Sequence, residues 1–423
     1  MKLLLRNGYV VDPVNSVNGI SDVYISGNKI SAPFPPPYDR VIDCSGMYVF
    51  PGLIDAHCHL RDPGYEYRED IETGTASAAK GGFTSVACMP NTKPVCDNAA
   101  VVEYIKTKAR KAGKCNVFPI GAVSKGQEGL ELAEIGLMAQ EGIVAVSDDG
   151  HPVGSAGLMM KAMKYASDFG LTVISHCEEL SLADGGHMNE GHVSTMLGLR
   201  GIPSIAEEIM IARDILVSSY TGLPVHIAHV STRGSVELIR EAKKKGIRVT
   251  CETCPHYFTL TEEACLGFDT MAKVNPPLRT EDDVSAIIEG LKDGTIDMIV
   301  TDHAPHHTDE KDLEFALANN GIVGFETAFA LSFTYLVKEE GLPINRLISL
   351  MSVDPSDLLK LGRGNLGIGS PADISVFDVD TEYVFDKKKT VSKAQNTPFD
   401  GWKLYGSTCF TIVGGNIVYE KLC

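Results

Sequence analysis

Two histidines stand one residue apart in Asp55-Ala56-His57-Cys58-His59-Leu60-Arg61, just behind an apolar run and a Pro51-Gly52 break. Alternate residues of a strand point to one face, so His57 and His59 present their imidazoles together. Two nitrogens at a strand end can grip one divalent cation. Arg61 sets a fixed positive charge beside it. This suits metal-assisted chemistry on a small anion, if further ligands follow. Ser147-Asp148-Asp149-Gly150, His176, His229 and Asp302-His303-Ala304-Pro305-His306 each stand behind another short apolar run. Imidazole nitrogen and carboxylate oxygen in this number suit zinc, in one site or two. Taken singly, a histidine behind an apolar run is commonly a core or capping residue. Asp-Asp-Gly likewise serves as a turn or helix cap. The set gains its meaning from where its members fall.

Gathering such distant residues needs a fold that brings many strand ends to one place. Eight short apolar runs recur at 47–54, 83–88, 116–123, 143–147, 171–175, 225–228, 247–250 and 297–301. Most are rich in β-branched residues, as expected of strands buried on both faces. Helical signals lie between them. Thr280-Glu281-Asp282-Asp283 opens one helix with acidic residues in its first turn. The stretch 231–245 ends another in three lysines before Gly246. Eight alternations predict an α/β fold, a (β/α)8 TIM-like barrel whose active site lies at the C-terminal ends of its strands. By that rule strands 1, 4, 5, 6 and 8 deliver the candidate ligands. Residues 1–46 and 365–423 read differently, as β segments with turn signals at Arg6-Asn7-Gly8, Ser26-Gly27-Asn28 and Gly414-Gly415-Asn416. Neither end can build a core alone. The expected organisation is one small discontinuous β domain from 1–46 and 365–423, holding the single Trp402, with a barrel over 47–364 between its halves.

Composition narrows the function. The 423 residues are 44% hydrophobic and 22% charged, an ordinary globular balance. A net charge of −17 argues against a nucleic-acid partner, so any anion site must carry its own arginines. No apolar stretch approaches the ~20 residues needed to span a membrane. Eleven cysteines without framework spacing read as reduced thiols of a cytoplasmic protein. Cys251 and Cys254 have CxxC spacing but no second pair to complete a structural zinc site. His256 is the unassigned histidine expected to come nearest the site.

Asp55–Arg61 with Asp62-Pro63-Gly64, then Asn91, then Thr301–His306, resemble the signatures of the dihydroorotase family within the amidohydrolase superfamily. The resemblance covers nearly the whole chain, split β domain included. It implies reversible hydrolysis of (S)-dihydroorotate to N-carbamoyl-L-aspartate, a step of de novo pyrimidine (UMP) biosynthesis. It implies that His57, His59 and Asp302 hold one zinc and His176 and His229 a second. Many relatives bridge two metals with a carboxylated lysine. Residues 143–150 contain no lysine, and the family pattern selects Asp149 over Asp148 as the bridge, as in larger bacterial dihydroorotases. Asp302 is then also the catalytic acid and base. The resemblance gives the substrate carboxylate to Arg61, Asn91 and His306, and the pyrimidine ring to Asn275. Asn320 and Gly321 would touch substrate through their backbones; independently of the resemblance, Asp309, Glu310, Lys311 and Asp312 mark 307–320 as a mobile loop over the site. A homodimer is the default expectation, and association with aspartate transcarbamoylase stays open. Two other readings compete. A dihydropyrimidinase, hydantoinase or allantoinase would leave Arg61 without a carboxylate and usually carries the bridging lysine. A metal-free structural partner of aspartate transcarbamoylase would not retain every ligand.

Overall fold

The computed structural model describes residues 1–421. Eight short parallel strands form its centre: Leu53–Cys58, Phe83–Cys88, Asn116–Pro119, Val146–Ser147, Val173–Ser175, Val225–Ile227, Val249–Thr253 and Met298–Ile299. The first three pair in order, as do the last five. Parallel bridges from Gly121 to Val146 and from Cys58 to His303 join the two groups into a closed (β/α)8 barrel. The closing seam carries site residues. His59 N–H donates to His303 O at 2.9 Å, and Asp302 N–H donates to His57 O at 3.0 Å. Ring closure therefore sets Asp302 beside two histidines that lie far from it in sequence.

The intervening helices begin and end where local chemistry directs. Asp70 and Thr73 form a capping box at the start of Ile71–Lys80, and Thr280 and Asp283 form another before Glu281–Asp293. Thr232 caps Arg233–Lys244, whose last turn holds two lysines against the negative end of the helix dipole. No helix among the described residues is long and apolar enough to cross a membrane.

Both chain ends enter one eight-stranded sheet. Its order is Asn416–Glu420, Ser407–Val413, Ile374–Asp378, Tyr48–Pro51, Lys2–Asp12, Val17–Ser26 and Lys29–Ser31, with Arg40–Asp43 also pairing Lys2–Asp12. Three expectations are corrected here. Run 47–54 is not one barrel strand. Tyr48–Pro51 joins the end sheet, between Lys2–Asp12 and Ile374–Asp378, and the barrel starts at Leu53. Gly52 makes the transfer. A Cβ there would fall 2.1 Å from the Thr84 hydroxyl. Arg6-Asn7-Gly8 is not a turn but an irregularity inside Lys2–Asp12, where the register shifts between Leu5 and Gly8 and Asn7 takes φ 63°. Trp402 packs not in the end sheet's core but against Phe399 at 5.0 Å and the barrel-side Tyr335 at 5.9 Å. Its segment folds back over the barrel mouth. There the Asn396 amide nitrogen donates to Ala304 O at 3.0 Å and Gly321 O at 2.9 Å.

Candidate metal centre and substrate cavity

His57, His59, Asp149, His176, His229 and Asp302 come from strands 1, 4, 5, 6 and 8 and meet at one end of the barrel. All are buried. Asp149 lies among the others. Its Oδ1 is 3.3 Å from His57 Nε2, 3.5 Å from His229 Nε2 and 3.6 Å from His176 Nδ1, and its Oδ2 is 3.5 Å from His59 Nε2. Asp302 Oδ1 stands 3.0 Å from His59 Nε2 and 3.6 Å from His57 Nε2. Among the described residues, two groups thus have donor atoms close enough to hold an ion, His57-Asp149-His229 and His57-His59-Asp302. They share His57. Asp148 does something else. Its carboxylate accepts from Val123 N at 2.8 Å and Ser124 N at 3.1 Å and pairs with the Ser124 hydroxyl, tying down a neighbouring loop.

The donor set fits divalent cations by its unmet needs. His57 Nε2 and Asp149 Oδ1 are buried without a hydrogen-bond partner, which is rare for polar atoms unless an ion or water completes them. His176 Nδ1 and His229 Nε2 approach to 2.8 Å, sharing one proton between two rings that face the same spot. The field is strongly negative. Burial alone would lower His57, yet the Asp149 and Glu252 charges hold its pKa well above the usual range. Burial likewise opposes the His176 proton, but hydrogen bonds and charge from Asp149 and Glu178 raise it to about 10. In Asp302 burial favours the acid form, and the His59 hydrogen bond with the His57 and His59 charges outweighs it, bringing the carboxyl down to about 2. A cluster that recruits positive charge this way accommodates cations.

Geometry at the strand ends is strained where it matters. Arg61, His229 and Asp302 have φ of 60°, 34° and 45°, in the left-handed region that L-residues seldom occupy. Such residues persist only where surrounding structure over-determines them. Here the barrel seam holds Asp302 from both sides. Asp55 accepts from Thr301 N at 3.0 Å, Thr301 Oγ1 at 2.6 Å and His57 N at 3.3 Å.

Beside the cluster opens a cavity of about 410 Å³ whose lining includes Arg61, Asn91, Asn275, His306, Asn320 and Gly321. No lysine lines it. Arg61 is only 8% exposed, and its Nε donates to Pro305 O at 3.2 Å. An Arg61 nitrogen also donates to His306 Nε2 at 3.3 Å. Burial and the Arg61 charge hold His306 well below the ordinary imidazole range, so it is neutral and able to accept there. Asn91 Oδ1 accepts a hydrogen bond from His59 Nδ1 at 2.9 Å, which turns His59 Nε2 toward the cluster. Asn275 Nδ2 lies 3.5 Å from Glu178 Oε2. Segment 307–320 opens with the short helix Thr308–Lys311, and its Glu310 pairs with Arg68.

Several residues that matter were not singled out by sequence. Glu252, wholly buried, accepts from His57 Nδ1 at 2.6 Å and from His226 Nε2 at 3.1 Å. It fixes the His57 tautomer with Nε2 toward the cluster, the orienting role that carboxylates play behind metal-binding histidines. Glu178 Oε2 stands 3.7 Å from His176 Nε2. The signal for Glu252 lies in Cys251-Glu252-Thr253-Cys254, a charge inside an apolar strand. Cys251 and Cys254 are buried free thiols. His303 turns away from the cavity and stacks on Phe325 at 4.0 Å. His256 is buried, and its Nε2 has no hydrogen-bond partner.

Comparison with known proteins gives a consistent picture. A family model described as dihydro-orotase-like matches residues 46–235. The chain is 60% identical to the dihydroorotase of Acetivibrio thermocellus, with 99% of each chain covered. It is 57% identical to that of Ruminiclostridium cellulolyticum, covering 100% of this chain and 99% of the relative. Among solved structures it resembles the L-hydantoinase (dihydropyrimidinase) of Arthrobacter aurescens, with TM-score 0.89, 26% identity, and 99% of this chain and 96% of that chain covered.

Proposed function

Because the chain belongs to the dihydroorotase family, a family of metal-dependent cyclic amide hydrolases, we propose that its cavity interconverts (S)-dihydroorotate and N-carbamoyl-L-aspartate. The observation that carries this reading is a buried arginine facing a cluster of histidines and aspartates across a small cavity. A guanidinium so placed matches a carboxylate bidentately. Dihydroorotate has that carboxylate on its ring, whereas dihydropyrimidines and hydantoins without one would leave Arg61 desolvated and unpaired. This favours dihydroorotase over the activity named for the structural neighbours.

His57, His59 and Asp302 would hold one zinc and His176 and His229 a second, with Asp149 between them. When bound, divalent cations supply an acidified water and polarisation of the scissile carbonyl. The chain's own groups do the rest. Arg61, held by Pro305 O and His306, orients the substrate carboxylate. The Asn91 amide nitrogen, left free because Asn91 Oδ1 is engaged by His59, adds a donor, and Asn275 faces the ring. Asp302, ionised through the neutral range, takes the proton of the attacking water and passes it to the departing ring nitrogen as the carbon–nitrogen bond breaks. In ring closure the same carboxyl runs the transfer backwards. The new carboxyl group of the product ionises and releases one proton, so hydrolysis gains and cyclisation loses about tenfold in equilibrium per pH unit.

A homodimer is consistent with the apolar face of Ile205–Thr221, where Leu216 is 69% and Tyr220 82% exposed. The test of function is an assay of both directions on protein purified without chelator, paired with metal analysis. Turnover of dihydroorotate with up to two zinc per chain supports the proposal. Preference for dihydrouracil over dihydroorotate would overturn it.

A further inference from the structure

Two buried lysines behind the cavity wall direct their ammonium groups at backbone oxygen. Lys311 is fully buried and Lys273 nearly so. Lys311 Nζ donates to Asn319 O at 2.8 Å, Gly321 O at 3.1 Å and Lys273 O at 3.4 Å. Lys273 Nζ donates to Phe315 O at 2.6 Å, Ala318 O at 2.7 Å and Ala316 O at 3.2 Å. An ammonium has three donors, and each finds three acceptors. Burying a cation is unfavourable unless such partners replace its water, so neither lysine is incidental. Five of the six carbonyls belong to residues 315–321. The end of that segment, Asn319 to Gly321, is cavity wall.

The segment's other bonds are mostly local: Leu317 N and Ala318 N donate to Glu314 O at 2.8 and 3.0 Å and Asn319 N to Glu310 O at 3.0 Å, while Asn396 shares the Gly321 carbonyl. The helix before it has four residues, and Leu313 and Leu317 are exposed. Phe315 and Ala318 are buried, yet a backbone turned inward around them leaves carbonyls that need donors. The two ammonium groups supply them. The Lys311 carbonyl accepts from Thr270 Oγ1 at 2.6 Å, which ties Lys311 to the neighbouring layer, and the Lys273 carbonyl accepts from Gly321 N at 2.9 Å, a further bond between Lys273 and the wall.

We infer that Lys273 and Lys311 are positioning residues that staple residues 315–321 from behind, so that Asn319, Asn320 and Gly321 face the histidine and aspartate cluster before substrate arrives. The wall is preset and does not close as a lid. Its kinetic consequence rests on the proposed function, whereas its structural consequence does not.

Hydrogen exchange on the metal-loaded full chain, with and without N-carbamoyl-L-aspartate, reads the staple directly. Peptides covering 312–321 should already be protected in the free protein, with ligand slowing them by less than about threefold. Unprotected exchange in the free protein, with protection gained only on adding ligand, would mean a lid and overturn the inference. Lys311→Met and Lys273→Met keep the side chain's length and remove its donors. Each should raise exchange in 312–321 by at least about tenfold while strands 53–58 and 225–227 stay protected. Each should raise KM for dihydroorotate about tenfold with kcat within about threefold, because a static wall binds ground and transition states alike. Folded variants with wild-type loop exchange and wild-type KM would overturn the assignment. Should a variant fail to fold, the wild-type measurement still decides. Should the wild type not turn over dihydroorotate, the functional reading falls while the exchange data still judge the staple.

Discussion

Glu252 shows how one buried carboxylate serves both the site and the fold. Burial favours its acid form, but the His57 charge and the His226 and His57 hydrogen bonds prevail and bring it down from 4.5 to about 2. A depressed carboxyl contributes stability that is fully present above its unfolded pKa and is lost as pH falls toward its folded one. For Glu252 this is roughly 3 kcal/mol, lost between about pH 5 and pH 2. Glu252→Gln should therefore lower stability near neutrality and flatten its decline in that acid window, as read by denaturant melts across pH. It should also weaken zinc binding about 10- to 100-fold by freeing the His57 tautomer, measured by competition with a chelating dye. Unchanged zinc affinity would leave Glu252 a purely structural residue. Asp302→Asn should lose about 10²–10⁴-fold in both reaction directions, since one group serves as base one way and acid the other. Substantial activity in either direction would remove Asp302 from proton transfer. Arg61→Met should impair dihydroorotate use mainly through KM, by about tenfold or more, with zinc content unchanged. A normal KM would detach Arg61 from the substrate carboxylate.

At the scale of elements, the transfer at Gly52 is the tightest passage in the fold. Its N–H donates to Asp373 O at 2.9 Å, its carbonyl accepts from Ser352 Oγ at 2.8 Å, and the Thr84 side chain fills the space a Cβ would need. Gly52→Ala should destabilise by about 1–3 kcal/mol through overpacking. Adding Thr84→Ala removes the two nearest atoms but leaves the Thr84 Cβ at 2.7 Å, so it should recover part of that loss, a coupling that a thermal-shift double-mutant cycle would detect. Additive losses would show that the clash does not set the demand for glycine. The helices needed no such context. Thr280 to Asp283 marks one start in sequence because the opening of a helix is local chemistry. Strand limits were less legible. Run 143–147 pairs as a strand only through Val146–Ser147, and run 247–250 extends to Thr253, because pairing depends on neighbours distant in sequence.

Across the whole molecule, the end sheet and barrel share one aromatic junction. Phe377 stacks on Phe329 at 3.9 Å and packs against Phe50 at 5.7 Å, and both Phe50 and Phe377 are fully buried. Phe50 lies on the end-sheet strand just before Gly52, Phe329 on the barrel helix Phe325–Leu331, and Phe377 on the returning C-terminal segment. Phe377→Ala should cost about 3–5 kcal/mol and lower the barrel and end sheet together, giving one calorimetric transition. Two separated transitions would show that the halves fold independently.

The sequence by itself determined the barrel's alternation, the contribution of both ends to one β unit, and the positions of His57, His59, His176, His229 and Asp302 just behind apolar runs. Each of these is written in local pattern: apolar period, turn signals, and polar residues just past a run. His57 and His59 share a face because strand geometry makes them do so. The tertiary structure decided what depends on neighbours far along the chain. It turned Asp149 into the cluster and Asp148 onto the Ser124 loop, although both are aspartates before a glycine. It gave Tyr48–Pro51 to the end sheet, and it set Glu252 behind His57 from a strand almost two hundred residues away. A strand's apolar run does not say which sheet it joins, and a carboxylate's role is fixed by the partner that closure of the barrel brings to it.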